Sequence, residues 1–249
     1  MKNTQIIILA AGKGVRMKSD EPKALTKLKN KPFLQHILET IATLHLSIQP
    51  IIVVGHQKEK IKEFLGNSYT YAEQTELLGT GHAVASAKKN IHPNHKTVLV
   101  LSSDQPLISK ETIEQLLSKH NEKKPTITIA TLKVPDFEEW RSGIRHFGRI
   151  IRGNDGLVKG IIEFKDATEK EKLIKELNPA VYAFDSEWLW KNINSLKNEN
   201  KQKEYYLTDL IKMACEQNKI IETVPLARLI EGLQPNTKEE LEMLEKITI

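Results

Sequence analysis

The first 130 or so residues alternate short, wholly apolar runs with segments whose apolar residues recur at helical spacing. Gln5 to Ala10, Pro50 to Val54, Thr97 to Leu101 and Thr126 to Leu132 read as strands. Their unbroken Ile, Val and Leu character suits strands covered on both faces, as in a parallel sheet. Between them Leu34, Ile37, Leu38 and Ile41 fall at i, i+3, i+4 and i+7, as do Ile113, Leu116, Leu117 and His120 behind a capping Ser109. This alternation predicts an α/β fold with a mostly parallel (mixed) sheet flanked by helices. Past residue 135 the rhythm changes to shorter runs, Arg149 to Ile151, Leu157 to Ile162 and Ala180 to Phe184, with a turn at Gly153-Asn154-Asp155-Gly156. Thr168-Glu169-Lys170-Glu171 is a capping box for a short helix, Leu207, Leu210, Ile211 and Ala214 mark another, and Thr237-Lys238-Glu239-Glu240 caps the last. No repeat or low-complexity linker interrupts the 249 residues. We therefore expect a single domain over 1–249, with one half at 1–135 and, at 136–249, a small β-rich lobe and C-terminal helices grown from the same sheet.

Composition removes several function classes. The single cysteine, Cys215, excludes an internal disulfide framework and a Cys-rich zinc site, and it reads as a packed small hydrophobe on an amphipathic helix. Lys+Arg 37 against Asp+Glu 32 leaves a net charge of +5, spread over scattered lysines that read as solvated surface. The apolar run near the start is too short for a signal-peptide core, and no later run approaches the ~20 residues of a membrane span, so we expect no membrane association and a soluble, cytoplasmic protein. His36, His56 and His82 lack a metal-ligand spacing, and His82 reads as a structural residue or one that acts behind a ligand contact. Trp140, Trp188 and Trp190 read as packing residues, and no aromatic and basic interleaving points to nucleic acid.

Chemistry concentrates in Leu9-Ala10-Ala11-Gly12-Lys13-Gly14-Val15-Arg16-Met17, followed by Glu21-Pro22-Lys23. This segment lies directly after the first strand, where open α/β sheets bind ligands. Small residues at 10 to 12 and 14 let backbone N–H groups approach an anion closely, and Arg16 and Lys23 add positive charge. The segment is not a P-loop, because Gly-x-x-x-x-Gly-Lys-Ser/Thr is absent, and not the dinucleotide fingerprint, because Met17 occupies the third glycine position.

Leu-Ala-Ala-Gly-x-Gly-x-Arg-Met with the following Pro-Lys resembles the signature loop of sugar-1-phosphate nucleotidyltransferases, most of all the uridylyltransferase domain of the bacterial bifunctional enzymes that make UDP-N-acetylglucosamine. Further segments resemble that family in order from residue 5 to about 240: Glu73 to Ala83 its base-recognition segment, Ser102 to Ile108 its metal-binding segment, Gly148-Arg149-Ile150 and Gly160 to Ala167 its sugar-binding segments, and Glu204 to Asp209 a last match. The resemblance implies a Rossmann-like core whose first half binds nucleotide and whose β-rich lobe binds sugar. It implies Mg²⁺-dependent transfer of a uridylyl group from UTP to a sugar 1-phosphate, with N-acetylglucosamine 1-phosphate favoured and pyrophosphate released. Leu9, Ala10, Ala11, Gly12, Gly14, Gln74, Gly79 and Thr80 would then bind nucleotide, the Gln74 amide reading the uracil imide edge. Arg16, Lys23 and Asp104 would be catalytic, the two cations holding the triphosphate and Asp104 holding Mg²⁺. Gly148, Glu163, Asn178, Tyr206 and Thr208 would bind sugar, with Lys165 a weaker candidate for the sugar phosphate.

Two departures bear on specificity. Asn178-Pro179-Ala180 stands where the family has Asn-Thr-Gly; proline removes a backbone donor and alanine reaches positive φ at greater cost than glycine, so the sugar is left open. Glu231-Gly232-Leu233-Gln234-Pro235-Asn236 stands where the family has Glu-Gly-Val-Asn, so either Gln234 or Asn236 is the second metal ligand, and we favour Asn236. The hexapeptide-repeat acetyltransferase of the bifunctional relatives has no counterpart in this sequence, so that activity and the trimerisation it drives are not expected, and the oligomeric state is left open. The alternatives are a nucleotidyltransferase for another sugar or base and a non-catalytic nucleotide-sugar-binding protein.

Overall fold

The computed structural model describes residues 3–14, 17 and 20–248. The strands are β1 (Thr4–Ala10), β2 (Lys27–Leu28), β3 (Lys31–Pro32), β4 (Ile51–Val54), β5 (Thr70–Glu73), β6 (Thr97–Ser102), β7 (Ile127–Lys133), β8 (Gly148–Arg152), β9 (Val158–Ile162), β10 (Glu176–Asn178), β11 (Tyr182–Asp185) and β12 (Ile221–Pro225). The helices are α1 (Phe33–Ala42), α2 (Lys58–Leu65), α3 (Thr80–Ser86), α4 (Lys110–Lys123), α5 (Ser186–Asn192), α6 (Asp209–Glu216) and α7 (Lys238–Ile247). The described residues form a ten-stranded mixed sheet in the order β5-β4-β1-β6-β11-β7-β10-β8-β9, with β12 also paired to β7, and β2 and β3 form a separate two-stranded sheet.

The apolar runs become central strands because successive side chains alternate between faces that are both covered. Ile6, Ile8, Leu99 and Leu101 pack with Phe33 and Ile37 of α1 and Leu116 of α4 in one core cluster. Ile7, Val98 and Val100 pack with Val84 of α3, Leu189 of α5 and Leu210 of α6 in the other. β1 runs parallel to β4 and β6, which carries the loops after all three to one end of the sheet. Ser109 caps α4 by accepting from the Thr112 N–H at 3.1 Å, and Thr237 caps α7 by accepting from the Glu240 N–H at 3.2 Å. The Thr168–Glu171 box forms both reciprocal bonds, at 2.7 and 3.3 Å, but the element it opens is only the 3₁₀ turn Glu171–Leu173. Ile174 is already extended there, leading into β10.

The feature that makes a cleft is a fork at β7. Its residues 127–129 pair antiparallel with β11, whereas 132–133, on the same edge, pair with β10. β10 then carries the antiparallel pair β8 and β9 away from the main sheet. The connection across the fork is Asn178-Pro179-Ala180, with Ala180 in the left-handed region at φ 60°. A non-glycine residue there costs about 1–2 kcal/mol, partly offset in comparison with glycine by glycine's larger loss of freedom on folding. Ala180→Gly is therefore expected to raise the unfolding free energy by about 0.5–1 kcal/mol, measured by denaturant titration; a loss of stability would contradict this account of the turn.

Candidate active site

Two adjoining clefts open at the C-terminal ends of β1 and β6, and they share Leu9, Thr80, Ser102 and Asp104. The first, of about 1130 Å³, is walled by Ala11, Gly12 and Lys13 after β1 and by Gln74 and Gly79 after β5. The second, of about 910 Å³, lies at the fork and is walled by Gly148, Glu163, Asn178, Thr208, His146 and Asn236.

In the first cleft, a Cβ built on Gly12 would have nothing within 4 Å, so a side chain there would occupy ligand space without disturbing the fold. Gly14 is needed for a different reason: its φ is +59° and a Cβ would lie 2.8 Å from Cβ of Lys23, so glycine alone lets Lys23 pack over the loop. Leu9 lines the cleft, whereas the Ala10 methyl points into the core. Gln74 is 4% exposed. Its Nε2 donates to the Gly79 carbonyl at 3.0 Å and lies 3.2 Å from His82 Nδ1. Both amide protons are thus directed at protein acceptors, and Oε1 is the end presented to a ligand. His82 acts behind Gln74, fixing its orientation. Thr80 Oγ1 accepts from the Leu207 N–H at 3.0 Å, tying this cleft to the segment that holds Thr208.

Where the clefts meet, the structure brings together Lys23, Asp104 and Asn236. Lys23 Nζ donates to Asp104 Oδ2 and, at 2.7 Å, to Asn236 Oδ1. These residues lie 81 and 213 positions from Lys23 in sequence. Of the two residues left open by the Glu231–Asn236 segment, Asn236 is the one against Lys23, while Gln234 Nε2 donates to the Pro179 carbonyl at 3.0 Å. The two departures from the family pattern therefore touch each other on one wall of the second cleft. Among the described residues no group of three or more His, Cys, Asp or Glu is placed to hold a metal ion. A hard divalent cation needs less, one or two protein oxygens plus substrate phosphates. The Asp104 and Asn236 oxygens fit that role, because they already accommodate a positive charge, the Lys23 ammonium, between them. Arg16 lies outside the described residues.

Sequence reading overlooked the scaffold that joins these two loops. Glu231 is 0% exposed; its Oε2 accepts from Ser109 N–H at 3.1 Å and Thr112 Oγ1 at 2.7 Å, and its carbonyl accepts from Gln105 Nε2 at 2.8 Å. This network clamps the loop of Asp104 to the loop of Asn236. The signal available in sequence was the Glu-Gly pair itself, which carries no hint of its distant partners.

In the second cleft Glu163 Oε1 accepts from Thr208 Oγ1 at 3.1 Å. Burial pushes its carboxyl above the ordinary range, with Asp166, Asp209 and Glu204 adding to the effect and the Thr208 bond opposing it. Asn178 is buried and hydrogen-bonds through its side chain to the Tyr182 hydroxyl at 2.6 Å. Of the five residues predicted to bind sugar, Tyr206 is the one that does not line this cleft. Its hydroxyl accepts from Gln202 Nε2 at 2.8 Å, and its ring lines a neighbouring cleft across the Glu163–Thr208 pair. Burial pushes that hydroxyl up to about 12. Lys165 also points elsewhere, toward Gln202 Oε1.

A mixed, helix-flanked sheet with two joined clefts at its strand ends, one beside a glycine-rich loop, defines a nucleotidyltransferase class of fold. Residues 6–206 match the MobA-like NTP transferase domain, and the chain belongs to that family. It is 40% identical over 239 residues to the bifunctional protein GlmU of Exiguobacterium sibiricum, covering 96% of this chain and 51% of that one. It is 37% identical over 247 residues to the bifunctional protein GlmU of Listeria monocytogenes, covering 99% and 52%. The chain thus spans about half the length of these relatives. A UDP-glucose pyrophosphorylase solved with UDP-glucose shares the fold, with a TM-score of 0.77 at 16% identity over 98% of both chains. So does a 4-diphosphocytidyl-2C-methyl-D-erythritol synthase of Anaerococcus prevotii, with a TM-score of 0.67 at 15% identity over 99% of this chain and 98% of that one. No helix among the described residues is long and apolar enough to cross a membrane.

Proposed function

We propose that the protein transfers a uridylyl group from UTP to a sugar 1-phosphate, releasing pyrophosphate, with N-acetylglucosamine 1-phosphate as the favoured acceptor. The observation that carries this reading is the meeting of Lys23, Asp104 and Asn236 where the two clefts join. That is where the α-phosphate of a nucleotide in the first cleft and the phosphate of a sugar in the second would approach each other. In-line attack by the sugar-phosphate oxygen on the α-phosphorus needs alignment and charge neutralisation rather than a covalent nucleophile. Lys23 supplies positive charge at the junction, and the loop of Gly12 brings backbone close to the phosphates. Asp104 and Asn236 would hold a divalent cation, Mg²⁺ by preference for hard oxygen ligands, which when bound neutralises phosphate charge.

Gln74 supports a uracil base. With both amide protons committed, Oε1 can accept from the imide N–H of uracil, whereas neutral cytosine carries an unprotonated acceptor nitrogen there. Pyrophosphate release with UTP, CTP, GTP and ATP, each paired with a panel of sugar 1-phosphates, tests this. UTP is expected to be used best, and a preference for CTP would sink the uridylyl assignment. The contact between Gln234 and Pro179 at the sugar-side wall favours a second acceptor preference within the same reaction, and the sugar arm of the panel decides it.

Glu163 gives a pH test. Its carboxylate would accept hydrogen bonds from sugar hydroxyls more strongly when ionised, so KM for the sugar phosphate is expected to rise as pH falls through its raised pKa, at a higher pH than an ordinary carboxylate would give. The sign for stability is opposite. A carboxyl raised by burial stabilises the fold below its unfolded pKa, and this contribution is lost as pH rises through the folded value. Glu163→Gln should therefore raise KM for the sugar phosphate about 10- to 100-fold while becoming more stable relative to wild type as pH increases. Steady-state kinetics and thermal unfolding from pH 5 to 8 read both; an unchanged KM would remove Glu163 from the sugar site.

A further inference from the structure

The Asp104–Asn236 pair has a neighbour that no sequence signal marked. Asn236 Nδ2 donates to the Gln234 carbonyl at 2.8 Å and lies 3.2 Å from His146 Nε2, while Oδ1 receives the Lys23 ammonium at 2.7 Å. A carbonyl can only accept and an ammonium can only donate, so the two ends of the amide are assigned by their partners. The amide nitrogen then donates to His146 Nε2, which puts the imidazole proton on Nδ1. His146 is itself held in place. The Arg149 guanidinium donates through Nη2 to the Arg145 carbonyl at 2.7 Å and through Nη1 to the Phe147 carbonyl, the two carbonyls flanking His146. Arg149 is 0% exposed, also donates to the Lys172 carbonyl at 3.0 Å, and sits 5.2 and 5.1 Å from the ring centroids of Phe137 and Phe164. The His146 ring stands edge-on to Phe147, with centroids 5.5 Å apart and an interplanar angle of 85°.

We propose that His146 is a positioning residue for the cation site: buried Arg149 fixes the backbone on both sides of it, and its Nε2 holds the Asn236 amide so that Oδ1 faces Asp104. The inference rests on the Asp104–Asn236 reading above. Partners standing behind a metal ligand typically contribute 10- to 100-fold in metal affinity. With the Gln234 carbonyl still in place, the lower end, about tenfold, is expected for His146.

The test is Mn²⁺ titration of the protein saturated with UDP-N-acetylglucosamine, whose phosphates complete the ligand set, with free Mn²⁺ read by electron paramagnetic resonance; absence of wild-type binding overturns the cation-site reading. His146→Ala should bind about tenfold more weakly than wild type. His146→Gln should bind close to wild type, because its side-chain oxygen can accept the same hydrogen bond. Asp104→Asn should lose binding. Wild-type affinity in His146→Ala, with binding lost in Asp104→Asn, overturns the role of His146 and leaves the cation site standing. So does a His146→Gln no tighter than His146→Ala, since lost packing then explains the effect. Undiminished binding in Asp104→Asn overturns the cation-site reading and the inference with it.

Discussion

Asp104→Asn is expected to lower turnover by about a hundred- to a thousandfold with the fold unchanged, because the substitution keeps the shape and removes the charge. Asp104 follows β6 and lines both clefts, so a cation held there would lie between them. Its ion pair with Lys23 is partly solvated, at 11% and 22% side-chain exposure, and losing it should cost stability only about 1 kcal/mol. The two readouts therefore separate: kcat falls steeply, and the thermal midpoint moves by a few degrees at most. Activity within tenfold of wild type would show that the junction of the clefts is not where phosphate charge is managed.

Glu231→Ala should have the largest effect on stability, about 2–5 kcal/mol from two buried donors left unsatisfied, a fall of roughly 10 °C in the unfolding midpoint. The carboxylate is inaccessible to water, and its removal leaves the Ser109 N–H and the Thr112 hydroxyl without their acceptor. Thr112 also accepts from the Ala227 N–H at 2.9 Å, so the damage spreads to the chain entering the Asn236 loop. Glu231→Gln retains an acceptor and should fall between wild type and Glu231→Ala. Thermal unfolding by circular dichroism measures the order; a shift under about 2 °C in Glu231→Ala would mean the network does not hold the two loops together.

How much of this was legible from sequence depends on how each element is buried. β1, β4, β6 and β7 are covered on both faces, and their apolar runs were visible within a residue or two of the observed bounds. β5, Thr-Tyr-Ala-Glu, has one buried residue, and β12, Ile-Glu-Thr-Val-Pro, has one, so neither carries a strand period. α3 was unread as a helix because its small residues make no apolar stripe; Gly81 is there because a Cβ would lie 2.9 Å from the Tyr205 carbonyl. The glycine-rich loop, Gln74 and Asp104 stood out because motif spacing is local. The choice between Asn236 and Gln234 turned on where a loop two residues longer places its side chains, which spacing cannot say. His146 had no signal at all, since its partner is 90 positions away. Tyr206 drew attention as part of a motif, yet the chain turns so that Thr208, two residues later, reaches Glu163 instead.

The most direct measurement is phosphorus NMR of the protein with UTP, N-acetylglucosamine 1-phosphate and Mg²⁺, followed until the reaction stops. The predicted result is loss of the UTP signals with UDP-sugar and pyrophosphate appearing in equal amounts, and the same conversion about a hundred- to a thousandfold more slowly with Asp104→Asn. Tight binding of UDP-sugar with no conversion of any nucleotide and sugar-phosphate pair would contradict the account and make the protein a nucleotide-sugar binder.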